Sequence, residues 1–174
     1  MARHVMFLRW WLLIILMSLG GFMAFKAGVF FDMWQEDATM LSSVNLIILL
    51  IFSLRSGGLT WNASNGLSGK EIDFNELEIK EETGWFWSDI VLAIGMFGTV
   101  WGFIMMLGGA FGNVDFSDPL MAQTALPKMV SGMKTALYTT LTGLLASILL
   151  KMQYYNLGLG VNKLREKYEK QKAI

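Results

Sequence analysis

Residues 85–111 read WFWSDIVLAIGMFGTVWGFIMMLGGAF. Apart from Asp89 near its start, the stretch carries no charge. It exceeds the roughly 20 apolar residues that a membrane-spanning helix needs. It holds Gly95, Gly98, Gly102, Gly108 and Gly109, with Gly112 just beyond. Gly98 and Gly102 form a GxxxG pair, as do Gly108 and Gly112. Small residues at this spacing let helix backbones approach closely in lipid. The stretch therefore predicts a membrane helix built for close packing.

Three more apolar stretches lie around it. Residues 126–150 satisfy the span length, with Lys128 and Lys134 in their first half. Residues 5–25 satisfy it once Arg9 snorkels to the interface. Residues 40–54 are short and reach span length only by recruiting Ala38, Thr39 and Ser53. A cleaved signal peptide is the other reading of residues 5–25. The long core and the lack of a small-x-small site before Lys26 weigh against it.

Composition points the same way. Of 174 residues, 54% are hydrophobic and 16% charged, and mean hydropathy is +0.47. A soluble domain carries about 25% charged residues. Fourteen basic and fourteen acidic residues cancel, which argues against a nucleic-acid partner. Without Cys there is no disulfide, thiol nucleophile or Cys-ligated metal, and one histidine, His4, does not make a metal site or a triad. No catalytic residue, metal or cofactor is expected, and the chain reads as an integral membrane protein rather than an enzyme.

Charge sets the orientation. Arg3 and Arg9 precede the first span, and Lys151, Lys163, Arg165, Lys167, Lys170 and Lys172 follow the last. The segment after span one carries Asp32, Glu36 and Asp37 against Lys26, and the one after span three carries Asp115 and Asp118. The positive-inside rule places both termini in the cytoplasm, which fits four spans. Trp10, Trp11, Trp85, Trp87, Tyr154 and Tyr155 fall near the inner lipid surface, and Phe30, Phe31 and Trp34 near the outer one. The expected fold is all-α, with four transmembrane helices. Residues 1–54 hold spans one and two, 55–84 a short acidic cytoplasmic loop, 85–155 spans three and four, and 156–174 a basic cytoplasmic tail helix with a solvated face. In the loop, Ile72, Phe74, Leu77 and Ile79 suit neither a clean strand nor a clean helix.

The site candidates lie on spans three and four. Gly95, Thr99, Gly102 and Gly109 share one helical face. Ser131, Thr135, Thr139, Thr142 and Ala146 share another, beside a face of Ala136, Thr140, Gly143 and Ser147. Such hydroxyls serve either helix packing or an ion path. Lys134 lies about eight residues into span four, so it must snorkel outward or pair, with Asp115 or Asp118 as candidates. Asp89 reads as an interfacial charge near a helix start. No span has a mid-membrane carboxylate, so a protonatable group for proton movement would belong to a partner.

Two blocks carry a resemblance. Gly95-Met96-Phe97-Gly98-Thr99-Val100-Trp101-Gly102 resembles the GLxGTVWG segment of the MotA/TolQ/ExbB ion-channel family. The stretch from Gly132 to Leu144 resembles that family's next helix, GxxxALxxTxxGL, at the right distance. Four spans, a short inner loop and Gly132-Met133-Lys134-Thr135-Ala136 look similar to the ZorA subunit of Zorya anti-phage systems, whose long tail is not matched here. The resemblance implies an A-type stator subunit of the bacterial inner membrane. It implies a homopentamer ringing two copies of a single-span B-type protein with a membrane aspartate, and coupling of ion flow to rotation. The transported ion would be H+, with Na+ as the alternative. Thr99 and Thr140 would be the pore hydroxyls, with Thr139 and Thr135 beside them, and Gly95, Gly98, Gly102 and Gly143 would pack helices. Exb- and Tol-type members have a glutamate where this chain has Thr135, which sets their relay apart. The competing readings are a non-conducting scaffold, in which these residues only pack, and a channel that needs no partner.

Overall fold

The computed structural model describes residues 5–70, 72–111 and 119–172. They form five helices: α1 (Val5–Lys26), α2 (Val29–Glu36), α3 (Leu41–Leu67), α4 (Phe74–Phe111) and α5 (Pro119–Lys172). Four of them, α1, α3, α4 and α5, are long and apolar enough to cross a membrane, so the all-helical, four-span expectation holds. Arg3, His4, Glu71, Gly112, Asp115 and Asp118 lie outside the described residues.

Helix α2 was not anticipated. Gly28, in the left-handed region at φ 76°, separates it from α1. Phe31 and Trp34 stay exposed, and Met33 is buried. After α2, the elbow into α3 is held by Asp37. Its carboxylate accepts from the Thr39 hydroxyl at 2.6 Å, from the Thr39 N–H at 3.0 Å and from the Ser42 N–H at 2.8 Å. The last of these satisfies an orphan donor in the first turn of α3.

The helices outrun the apolar stretches. With 38 residues, α4 is about 57 Å long, and α5 with 54 is about 81 Å, against a hydrocarbon core of about 30 Å. The expected loop over 55–84 is mostly helix: α3 runs on to Leu67 and α4 starts at Phe74. Residues 55–67 are helical because a small-residue face is buried, through Ser56, Gly57, Leu59, Thr60, Ala63, Ser64 and Gly66. The start of α4 is capped by Asp73, whose carboxylate accepts from the Glu76 N–H at 3.1 Å. Asp-x-x-Glu at 73–76 is the sequence signature of that cap. Leu77 is buried, but Ile79 is exposed and spoils the apolar periodicity of the segment.

The tail has a packed face as well as a solvated one. It continues α5 as expected, but it is not solvated all round. Leu157, Val161 and Leu164 are buried in one core with Leu59, Ala63 and Leu77. Arg165 pairs with Glu78, and the Tyr168 ring packs on Phe74. Asn156 Nδ2 donates to the Met6 carbonyl at 3.0 Å, so the start of α1 and the end of α5 lie at the same end of the bundle.

Candidate functional site

The site is built on the seam between α4 and α5. A β-carbon added at Gly95 would sit 2.9 Å from the Gly143 Cα, and one at Gly143 2.7 Å from the Gly95 Cα. One at Gly102 would sit 2.7 Å from the Ala136 nitrogen, and one at Gly132 2.7 Å from the Met106 Cα. These neighbours are backbone, so no rotamer change relieves the clash. Gly98 faces the Thr139 side chain, at 2.5 Å from a β-carbon. Along α4 the facing positions 95, 98, 102 and 106 step by three or four residues, the spacing of a tight antiparallel helix pair. Gly84 continues the seam against the Tyr154 ring, and Gly158 against Glu81.

Thr99 and Thr140 lie one residue beyond Gly98 and Thr139, on a half-buried edge of this seam. Their Oγ1 atoms are 2.5 Å apart. Thr99 Oγ1 is also 3.1 Å from the Gly95 carbonyl, and Thr140 Oγ1 2.9 Å from the Ala136 carbonyl. Two hydroxyl protons cannot fill three contacts. One threonine therefore donates to the other, while the second donates to its own helix. Spare oxygen lone pairs remain at an edge open to whatever lies alongside.

The other two threonines are placed differently. Thr135 and Thr139 are fully buried. The Thr135 hydroxyl donates to the Glu36 carbonyl at 2.8 Å, and its oxygen accepts from the Ala38 N–H at 3.4 Å. Thr139 donates back to the carbonyls of Thr135 and Ala136, and Thr142 to those of Tyr138 and Thr139. Neither Thr135 nor Thr139 presents its hydroxyl to the outside of the subunit.

The charges find partners that sequence proximity did not suggest. Lys134 Nζ meets Glu36 Oε1 at 2.5 Å, tying α2 to α5. Asp89 pairs with Lys151 at 2.8 Å, across the α4–α5 seam. Glu81 accepts from Trp85 Nε1 at 2.8 Å. Burial pushes the Glu81 carboxyl above its ordinary value near 4.5; the Trp85 bond opposes this, and Glu82 adds to it. Glu36, Asp37 and Glu81 passed in the sequence as loop acids, with no local signal of their tertiary roles.

The geometry above has one organising unit, the α4–α5 pair. A family model described as the MotA/TolQ/ExbB proton channel family matches residues 73–170, more than half of the chain. The chain belongs to this family. The MotA/TolQ/ExbB match opens at Asp73, the cap of α4, and closes near the end of α5. It thus takes in the helical extensions that the apolar stretches alone leave out. Neither a curated protein nor a solved structure matches the chain. Membership in this family assigns a membrane function of the proton-channel type, and the four apolar helices make the protein multi-pass.

Proposed function

We propose that this protein is the A-type, pore-forming subunit of an ion-driven membrane stator. The observation that carries this is the Thr99–Thr140 hydroxyl pair, 2.5 Å apart on the half-buried edge of the family's core helices. Five copies, with α4 and α5 turned inward, would set five such pairs around a central space. Two copies of a single-span partner with a membrane aspartate would occupy that space and supply the carboxylate that the midsections of α4 and α5 lack. Protons are the coupling ion in this reading, and Na+ is the alternative, since hard cations take oxygen ligands. The start of α1 and the later turns of α5 lie at one end of the bundle, and Arg9, Lys151, Lys163 and Arg165 on those stretches support a bacterial inner-membrane subunit with that end in the cytoplasm. The exposed aromatic and aliphatic side chains of α1 face lipid.

The test is subunit counting by native mass spectrometry, with and without the neighbouring gene product, joined to Thr99→Val and Thr140→Val. Five copies with two of a small partner are expected, and either valine variant should lose most ion-coupled work while assembling normally. A different count, or full activity in both variants, overturns the reading.

One observation favours a second reading, a scaffold without ion flux. The hydroxyls of Thr135, Thr139 and Thr142 are all spent on backbone carbonyls, as packing alone would have them. Under that reading the valine variants are harmless, and only glycine substitutions such as Gly98→Leu or Gly102→Leu break the assembly.

A further inference from the structure

A cavity of about 210 Å³ lies away from the threonine pair, between α3 and the start of α4. Leu59 and Leu77 line it, and both are buried. Asn62, Asp73, Glu76 and Lys80 complete its wall with polar groups. Lys80 Nζ holds Glu76 Oε1 at 2.5 Å, so a cation and an anion sit side by side there. Asp73 gives only Oδ1 to the α4 cap.

The cavity sits at the depth of lipid headgroups. The polar elbow at Asp37 ends the span on one side. From Leu41 to Trp61, α3 then rises about 30 Å, the thickness of the hydrocarbon core. Trp61 is 47% exposed and meets Phe7 edge-on, as aromatic side chains do at the lipid–water boundary. Leu59 and Asn62 bracket Trp61, which puts the cavity at that boundary. One face of α3 leads into it. Ile51, Arg55, Gly58 and Asn62 recur along the helix at intervals of four, three and four residues, and all are exposed. The Arg55 guanidinium lies over the Phe52 ring at 6.0 Å and pairs with no carboxylate among the described residues. Gly58 has open space where a β-carbon would be. In order, this face offers an apolar contact, an unpaired cation, a gap and the polar cavity.

We propose that this groove binds a phospholipid whose headgroup carries a primary ammonium. An acyl chain lies on Ile51, Arg55 meets the phosphate, and the ammonium enters the cavity beside Asp73 and Glu76. The lining selects this headgroup. An ammonium donates up to three hydrogen bonds, which suits two carboxylates, whereas a choline headgroup has no N–H to donate. A glycerol headgroup has no positive charge to offset Asp73 and Glu76. The same phosphate and ammonium occur in free phosphoethanolamine. The headgroup depth and the exposed Ile51 track favour the lipid.

The test uses the full chain in detergent and reads the rise in Tm on adding lipid. Dioleoyl phosphatidylethanolamine at saturation should raise Tm by about 5–10 °C. Phosphatidylcholine and phosphatidylglycerol with the same chains should give less than half of that rise. Asn62→Trp fills the cavity, and Arg55→Gln removes the charge. Each should lose most of the rise, measured against its own lipid-free Tm. Equal rises from the three lipids, no rise from phosphatidylethanolamine, or a full rise in either variant overturns the proposal. So does an equal rise from water-soluble phosphoethanolamine, which makes the ligand a free headgroup.

Discussion

Helices α1 and α4 are both long, apolar and able to span a membrane, yet they are used in opposite ways. Of the 22 residues of α1, only Met6 is buried, and Leu8, Leu12, Ile15, Leu16 and Leu19 all lie open. Helix α4 presents Gly84, Ser88, Val91, Gly95, Gly98 and Gly102 to its neighbours, all buried. The difference is not hydrophobicity. Lipid is as apolar as leucine, so a leucine face gains nothing from a protein partner, whereas a glycine face gains close van der Waals contact. Along α1 the large apolar residues lie open, and along the α4–α5 seam the small ones make the contact.

The contrast breaks first at the seam. Gly95→Leu puts a side chain where the Gly143 backbone already sits, and the expected result is loss of a cooperative thermal transition in detergent. Gly98→Ala is milder, because the Thr139 side chain can shift in part, and should cost about 1–3 kcal/mol by thermal unfolding.

The end of the seam that holds Glu81 sharpens the comparison through pH. Glu81 binds protons more tightly folded than unfolded, because its folded value is raised. Its contribution is therefore fully present below the unfolded value near 4.5 and is lost as pH rises through the raised folded value. Glu81→Gln, which can still accept from Trp85, should flatten that part of a Tm-against-pH curve and raise Tm at neutral pH.

A smaller effect is expected where α2 meets α5. Lys134→Met removes the tie to Glu36, and Tm should fall slightly at low salt. The gap to wild type should close as salt screens the half-exposed wild-type pair. Smallest of all is Leu16→Ala on the open face of α1, which should change stability by less than about 0.5 kcal/mol in a nanodisc melt. A large loss there would mean that α1 is covered by protein, not lipid.

How legible the molecule was follows from the same physics. The four spans could be read because uninterrupted apolar length has few other meanings. The seam could be read because glycines three and four apart in such a stretch imply a close neighbour. Thr99 and Thr140 were singled out by family resemblance, while their contact came only from the structure, since no local pattern links residues 41 apart. The extension of α3 was missed because its buried face uses Ser56, Gly57, Thr60 and Ser64, which read as loop residues by composition. Lys134 was assigned to acids near it in sequence, whereas its partner, Glu36, lies 98 residues away. Thr139 was set beside Thr140 by adjacency, but successive helical positions point in different directions.

Contacts between α4 and α5 recur from Gly109 against Lys128 through Gly95 against Gly143 to Phe74 against Tyr168. Two helices joined at that many points behave mechanically as one beam. Neither can slide along the other without lifting a backbone over a backbone, and each braces the other against bending. A sideways push beside Thr99 would therefore tilt the long axis of the whole beam rather than being absorbed as local strain. Its far end, beside Glu78 and Arg165, swings by an amount set by leverage alone.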